Sequence, residues 1–437
     1  MISDTRQSGP TPIISRTCPD GTLIEAIYDP ETTETALAVG RSDGTSSIVP
    51  DFDLPTGERL VPYSPHNNLI ASGCVLLPRD IGEFGDKGDL VRAVRAFIHR
   101  YVDLSPLFEE IAAHYVLLTW VYDAFNELPY LRLRGDYGTG KTRALLAVGS
   151  LCYKPFFASG ASTVSPIFHV LDAFGGTLIL DEADFRFSDA SAELTKILNN
   201  GTVAGLPVLR TMTNRHRELN PQAFKVFGPK IVGMRRDFAD AALESRFLTE
   251  ETGQRPLRPD IPIHLPNAMK TEARALRNRL LAWRFRARST VGTDPARLIP
   301  GIAPRLNQTA LSLLSIIDDA ELRERMAQQL AGEEARVLSE RASSVEAAVL
   351  AAICEVAREA PASAISLSAV AAQFSRKTLG TSEAPITSKA VGFVVRTKLR
   401  LPTVKSRGVY VIPQIERSRI AALAARHGVA VESPTSA

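Results

Sequence analysis

Residues 135–142 read Gly-Asp-Tyr-Gly-Thr-Gly-Lys-Thr, the full G-x-x-x-x-G-K-[ST] spacing of a phosphate-binding loop. The pattern constrains the fold because it needs one context, a strand running into the first glycine and a helix opening near the lysine. Both neighbours fit. Leu128 to Leu133 is a short apolar-rich run, and Arg143 to Val148 is helix-forming. Gly135, Gly138 and Gly140 let the backbone curl until its N–H groups converge on phosphate oxygens. The helix that follows adds its positive N-terminal end. Asp136, Tyr137 and Thr139 complete the loop. Lys141 is the residue expected to reach the outer phosphates, and Thr142 the one to offer a hydroxyl to Mg²⁺.

A second motif lies about forty residues downstream, Thr177-Leu178-Ile179-Leu180-Asp181-Glu182 after Gly175-Gly176. Four apolar or β-branched residues ending in two acids describe a buried strand that delivers carboxylates to its C-terminal edge. That edge is where ligands bind in open α/β sheets. Asp181 is expected to hold Mg²⁺ through water. Glu182 takes the general-base position, orienting and polarising an attacking water.

Third comes Asp240-Ala241-Ala242-Leu243-Glu244-Ser245-Arg246-Phe247, beyond another strand-like run, Lys230–Met234. Loop, Asp-Glu strand, later strand and Leu-x-Ser-Arg-Phe together resemble AAA+ ATPases. The minichromosome-maintenance helicases and the ATPase modules of phage and plasmid helicase-like proteins are especially similar. The resemblance covers roughly residues 88–250. It implies ATP as substrate, and Arg246 as an arginine finger that completes a neighbouring subunit's site. A homo-oligomeric ring, a hexamer in the resembled proteins' manner, is the assembly this resemblance implies. A planar, permanently charged group suits a multi-oxygen anion. The family's polar residue at the end of the preceding strand is replaced here by Gly233-Met234-Arg235-Arg236, leaving Arg235 and Arg236 as alternatives for that sensor. A second sensor arginine would come from the helical lid, with Arg305 preferred over Arg297. Val208–Met212 and Gln222–Phe227 are expected to pair as a hairpin. In the resembled helicases such a hairpin touches nucleic acid, which nominates Arg215, His216 and Arg217 at its tip.

Two basic stretches remain. Asn267–Arg288 holds seven lysines and arginines against one acid, Glu272, with Trp283 and Phe285 interleaved. Leu276, Leu280 and Trp283 follow helical spacing, so a packed lid helix with a solvated basic face is expected. The second stretch is C-terminal. Ser344–Glu359, Leu367–Lys377 and Thr387–Leu399 read as three helices, and Thr403–Ser406 and Val409–Ile412 as a small β-wing around Arg407-Gly408. That is the pattern of a winged helix, with the third helix laid in a groove. From Lys389 to Arg407 there are six basic residues and no acid: Lys389, Arg396, Lys398, Arg400, Lys405 and Arg407. The net charge of residues 341–437 is +7 while the whole chain carries only +3, so positive charge is concentrated where DNA binding is expected.

Length and composition set the frame. A chain of 437 residues, 45% apolar and 23% charged, holds several domains of ordinary globular type. Its four cysteines are widely separated, arguing against a disulfide framework or a zinc site. The N-terminus lacks an apolar signal core, and Ile111–Phe125 is too short to span a bilayer, so a cytoplasmic protein without membrane contact is expected. The expected fold is α/β, an AAA+-type P-loop NTPase core with a parallel sheet. The expected parts are a β-rich region at 1–85, with strands at Thr22–Tyr28, Thr35–Val39 and Leu69–Leu77, and a helical collar at 86–128. The ATPase core at 129–251, a linker and helical lid at 252–341 and a winged-helix domain at 342–437 follow. The expected function is an ATP-hydrolysing, DNA-associated motor, helicase-like, in replication of chromosomal or mobile-element DNA. An ATP-gated DNA-binding regulator or assembly switch without unwinding is the alternative.

Overall fold

The computed structural model describes residues 9–160, 162–183, 189–213, 219–238, 240–342, 344–378, 386–406 and 408–429. The chain divides into two compact units, 1–327 and 328–437.

The first unit opens with two small sheets. β1 (Thr11–Ile13), β7 (Arg59–Pro62) and β6 (Phe52–Asp53) form one; β2 (Ser15–Thr17), β3 (Leu23–Asp29), β4 (Glu34–Gly40) and β5 (Ser46–Val49) form an antiparallel meander. Ile24, Leu37, Val39 and Leu60 are fully buried between them. The strand expected at Leu69–Leu77 is not formed. Asn67 instead caps a short helix, α1 (Asn68–Ala71), by accepting a hydrogen bond from Leu69 N at 3.0 Å. Gly73, at φ +70°, then turns the chain, and Val75 alone pairs with Phe156. A local side-chain cap and a left-handed glycine outcompete an apolar run that has no neighbouring strand along its length.

Helices α2 (Lys87–Tyr101) and α3 (Pro106–Trp120) follow, capped by Asp86 and Ser105. With Pro106 at its first position and twelve of its fifteen residues buried, α3 is a core helix. The centre of the unit is a five-stranded, wholly parallel sheet. Its strands, in chain order, are β8 (Tyr130–Arg134), β9 (Phe156–Ser159), β10 (Leu178–Asp181), β13 (Lys230–Met234) and β14 (Phe247–Glu251). In space they run β14-β8-β13-β10-β9. The crossovers carry α4 (Lys141–Gly149), α5 (Val164–Phe174), α6 (Asp189–Asn200) and α7 (Ala241–Glu244). The near-continuous apolar strands, such as Leu178-Ile179-Leu180, read as strands covered on both faces, and these three are at most 2% exposed. Between β10 and β13, β11 (Val208–Thr213) and β12 (Leu219–Phe224) pair antiparallel. After β14 come α8 (Asn267–Ala287), α9 (Pro304–Ile316) and α10 (Ala320–Ala342), the last beginning in this unit.

The second unit contains α11 (Val345–Glu359), β15 (Ile365–Ser366), α12 (Leu367–Thr378), α13 (Ser388–Phe393), β16 (Val404–Ser406), β17 (Val409–Ile412) and α14 (Arg417–Arg426). The strands form an antiparallel sheet in the order β15-β17-β16. Val349, Leu350, Ile353, Val370, Val391 and Ile412 make its core. The third helix does not run regularly to Leu399 as expected. It passes into a π turn at Val394–Lys398, with Leu399 N bonded to Val394 O at 3.0 Å. That wider turn keeps Val395 and Leu399 in the core while Arg396 and Lys398 face outward.

Candidate functional site

The glycine-rich loop leaves the C-terminal end of β8 and enters α4. Gly138 and Gly140 sit at φ +77° and +89°, where a side chain would be strained. Gly140 is the N-cap of α4, and no side chain caps that helix. Its first-turn amides therefore meet the requirement of an anion cradle. Lys141 folds back along the loop, its Nζ donating to the carbonyls of Gly135 (2.7 Å) and Asp136 (2.6 Å).

Two strands away in the sheet, β10 ends at Asp181. Its Oδ2 accepts a hydrogen bond from Thr142 Oγ1 at 2.6 Å. Its Oδ1 accepts from Glu182 N at 2.9 Å. Gly233 on the intervening strand β13 makes this approach possible, since a Cβ there would stand 3.0 Å from Asp181 Oδ1 and 2.8 Å from Leu145 Cδ1. Glu182 is exposed, with φ +55°, a left-handed conformation that is uncommon for a glutamate and marks a sharp turn at the strand end. A hydroxyl and a carboxylate meeting beside a helix N-terminus are the hard oxygen donors that suit Mg²⁺, so the residues present fit that ion.

One feature beside the loop was missed in the sequence. Thr252 Oγ1, just past β14, lies 2.8 Å from Thr139 Oγ1 and donates to Arg134 O at 3.0 Å. A Cβ on Gly135 would fall 2.3 Å from Thr252 Oγ1, and one on Gly253 would fall 2.5 Å from Thr139 Cγ2. Thr252-Gly253 thus braces the loop from the neighbouring strand. The only sequence sign was a Thr-Gly turn at the end of the last core strand. Arg235, one of the two arginines the sequence left open at the end of β13, has its guanidinium 5.6 Å from the ring centre of Tyr137 at the exposed tip of the loop.

Arg246 precedes β14 at its N-terminal end, where its carbonyl accepts from Tyr130 N at 2.9 Å. It lies at the opposite edge of the sheet from the loop, roughly 15 Å along the strands. Its guanidinium donates to the carbonyls of Leu198 and Asn199 at the end of α6 and to Thr202 Oγ1 (2.9 Å). Burial, with the nearby charge of Arg305, lowers its pKa from the ordinary arginine value. Arg305 is exposed in the first turn of α9. Arg297 instead donates to Leu314 O at 3.0 Å and pairs with Asp294. Beside Arg246, the fully buried Lys230 donates to the carbonyls of Val226 (2.8 Å), Gly228 (3.0 Å) and Gly201 (3.4 Å). Burial pushes its pKa down to about 7.

The expected basic face of α8 is corrected by the structure. Arg277 and Arg284 are 5% and 3% exposed. Arg284 bonds Glu25 (2.8 Å), both oxygens of Asp123 (2.9 and 3.0 Å) and Trp120 O (2.6 Å). Arg277 donates to Ser150 O at 2.7 Å. Phe285 rests on the backbone of Gly40 and Trp283 is buried, so neither ring is offered for stacking. The acceptors that hold these two arginines come from far away in the chain, a backbone carbonyl for Arg277 and two carboxylates for Arg284.

The expected hairpin forms, with its second strand at Leu219–Phe224 in place of Gln222–Phe227, but its tip with Arg215, His216 and Arg217 lies outside the described residues, as does Arg407. In the second unit Lys389, Arg396, Lys398, Arg400 and Lys405 are all exposed. Among the described residues no helix is long and apolar enough to cross a membrane.

No protein-family model matches the chain, and no curated protein matches it. Among solved structures it is similar to the apo C-terminal region (305–718) of NrS-1, at 13% identity over 89% of this chain and 95% of that one, with a TM-score of 0.37. JCV helicase is similar at 14% identity over 56% of this chain and 62% of that one, TM-score 0.25. Cdc6p from Pyrobaculum aerophilum is similar at 12% identity over 77% and 98%, TM-score 0.22.

Proposed function

We propose that the chain is an AAA+-type P-loop ATPase that hydrolyses ATP with Mg²⁺, assembles into a ring and acts on DNA as a helicase-like motor. The observation that carries the reading is the 2.6 Å contact between Thr142 Oγ1 and Asp181 Oδ2, which joins the loop to the acidic strand end across the sheet. Those two residues would hold Mg²⁺, and the ion when bound would neutralise charge on the phosphates. Lys141 exchanges its two carbonyl partners for the outer phosphate oxygens. Glu182, turned out at the strand end, takes the proton of the attacking water. Arg235 stands where a cation can meet the outermost phosphate. Arg246 is too far from its own loop to serve it, which supports a role on a neighbouring subunit's ATP and hence a ring. In this reading residues 342–437 form a winged helix that contacts DNA through Lys389, Arg396, Lys398, Arg400, Lys405 and Arg407, with Arg215 and Arg217 of the hairpin as a second contact.

The test is steady-state ATP turnover and unwinding of forked DNA. Lys141→Ala should lose nucleotide binding. Glu182→Gln should bind ATP normally and turn over at least about a hundredfold more slowly. Arg246→Ala should bind but not turn over, and mixing it with Lys141→Ala protein should restore activity at mixed interfaces. Turnover by Glu182→Gln at the wild-type rate would overturn the assignment.

A further inference from the structure

The second unit carries a surface that neither a purely electrostatic contact nor base reading in a duplex groove explains. The exposed positions of α13 and the π turn are Ser388, Lys389, Ala390, Phe393, Arg396, Thr397 and Lys398. Phe393 is 58% exposed, in the middle of that face. Bidentate reading of base edges takes Asn or Gln for adenine and a free guanidinium for guanine; residues 387–412 contain no Asn or Gln, and Arg396, the arginine of this face, is engaged with Thr403 and the Tyr410 ring. What stands next to the helix is another aromatic. Tyr410 on β17 is 53% exposed, and the guanidinium of Arg396 lies 5.8 Å from its ring centre. Arg396 is held there by two more features. Its Nη1 donates to Thr403 Oγ1 at 3.4 Å, and Gly392 lies beneath it, where a Cβ would come within 3.0 Å of Nη1. Lys405 is the register partner of Tyr410 on the adjacent strand β16.

We propose that this face binds single-stranded nucleic acid, stacking unpaired bases on Tyr410 and Phe393 while Arg396 and Lys405 take the neighbouring phosphates. The inference rests on the DNA-binding reading of this unit and narrows it to an unpaired strand. Charge selects the occupant: Lys389 to Arg407 holds six cations and no acid, so the partner is a polyanion. The exposed rings then select an anion with flat apolar faces. Stacking accepts any base, so the surface is indifferent to sequence. The arginine held beside Tyr410 adds a planar cation on which a base can also stack.

The test uses the full chain with a labelled twenty-nucleotide oligothymidine and a blunt duplex of the same length, by fluorescence anisotropy at matched salt. The wild type should bind the single strand more tightly than the duplex. Tyr410→Ala should weaken single-strand binding by about five- to a hundredfold and leave duplex binding within twofold. Tyr410→Phe, which keeps the ring, should bind like wild type. In Tyr410→Trp the added indole fluorescence should be quenched by oligothymidine, a response that phosphate contact alone does not produce. Trp120 and Trp283 are buried, and the wild type corrects for them. Duplex binding as tight as single-strand binding, or equal affinities for the Ala and Phe variants, overturns the stacking proposal and leaves the DNA-binding reading standing. Binding of neither probe overturns both.

Discussion

Residues 267–288 and 389–410 look alike as text, each a basic stretch with two aromatics beside the charges. In the folded chain they have opposite fates. The first is α8, whose Arg277 and Arg284 are sealed inside the first unit, Arg284 against Glu25 and Asp123 and Arg277 against the Ser150 carbonyl, while Trp283 and Phe285 are packed. The second is a surface, with Arg396 and Lys405 exposed and Tyr410 and Phe393 facing solvent. A guanidinium is buried only where hydrogen-bond acceptors can surround it, because an unpaired buried charge is prohibitively costly. Arg284 has acceptors at sequence separations of 259 and 161 residues. No acid lies between Lys389 and Arg407. The difference lies in where the acceptors are, not in the arginines.

The largest effect that tests this contrast is on Arg284. Arg284→Ala leaves Glu25 and Asp123 without their shared partner, and should cost about 3–5 kcal/mol of stability, read as a fall in the urea midpoint. Arg396→Ala, by contrast, should leave the midpoint unchanged. Equal losses in the two variants would erase the distinction between a sealed and an open basic stretch.

A smaller effect is the acid response of the same cluster. Burial works to raise the Asp123 pKa, but the charges and hydrogen bonds of Arg284 and Arg288 outweigh it and hold the carboxyl at about 2, against 3.8 for a free carboxylate. A depressed carboxylate stabilises the fold above its unfolded pKa and loses that contribution as pH falls through its folded one. About 2 kcal/mol should therefore disappear between pH 4 and pH 2. Comparing urea midpoints of wild type and Asp123→Asn across that window isolates the effect. Parallel pH profiles for the two proteins would show that Asp123 is not the group responsible.

The smallest expected effect is at Lys398, 3.9 Å from Glu346 Oε1 and 55% exposed. Solvent screens such a pair, so Lys398→Ala should shift stability by less than about 0.5 kcal/mol. If Lys398 contacts a phosphate, the slope of log affinity against log salt should fall by about one. An unchanged slope would remove Lys398 from the nucleic-acid surface.

The same division runs through the candidate site. The loop at 135–142, the acids at 181–182 and the strand at 230–234 were legible because each depends on a local rule: glycines where φ is positive, a β-branched run before a turn, a helix after a lysine. The β11–β12 pairing was legible from two strand-like runs either side of a polar turn. What brings Thr142 against Asp181 is the insertion of β13 between β8 and β10, and the glycine at 233 that leaves room for the carboxylate. The Thr252-Gly253 brace depends on β14 returning beside β8. Neither is encoded in any window of neighbouring residues. The short helix at Asn68–Ala71 shows the limit from the other side. An apolar run reads as a strand, but a strand needs a partner along its length, and only Val75 finds one.

By itself the sequence determined the chemistry this chain can offer. It holds a backbone cradle with a lysine and a hydroxyl, two carboxylates at a strand end, and a cation-rich segment without acids. These follow from residue type and short-range spacing, and both are properties of the chain before it folds. The tertiary structure decided which of those groups meet and which charges are seen from outside. It joined Thr142 to Asp181, set Arg246 at the far edge of the sheet, withdrew Arg277 and Arg284 of α8 into the interior and left Arg396 beside an exposed tyrosine. The reason is that burial and electrostatic pairing depend on distance in space. Chain separations above a hundred residues become contacts of about 3 Å only when the sheet order and the packed helices bring them together.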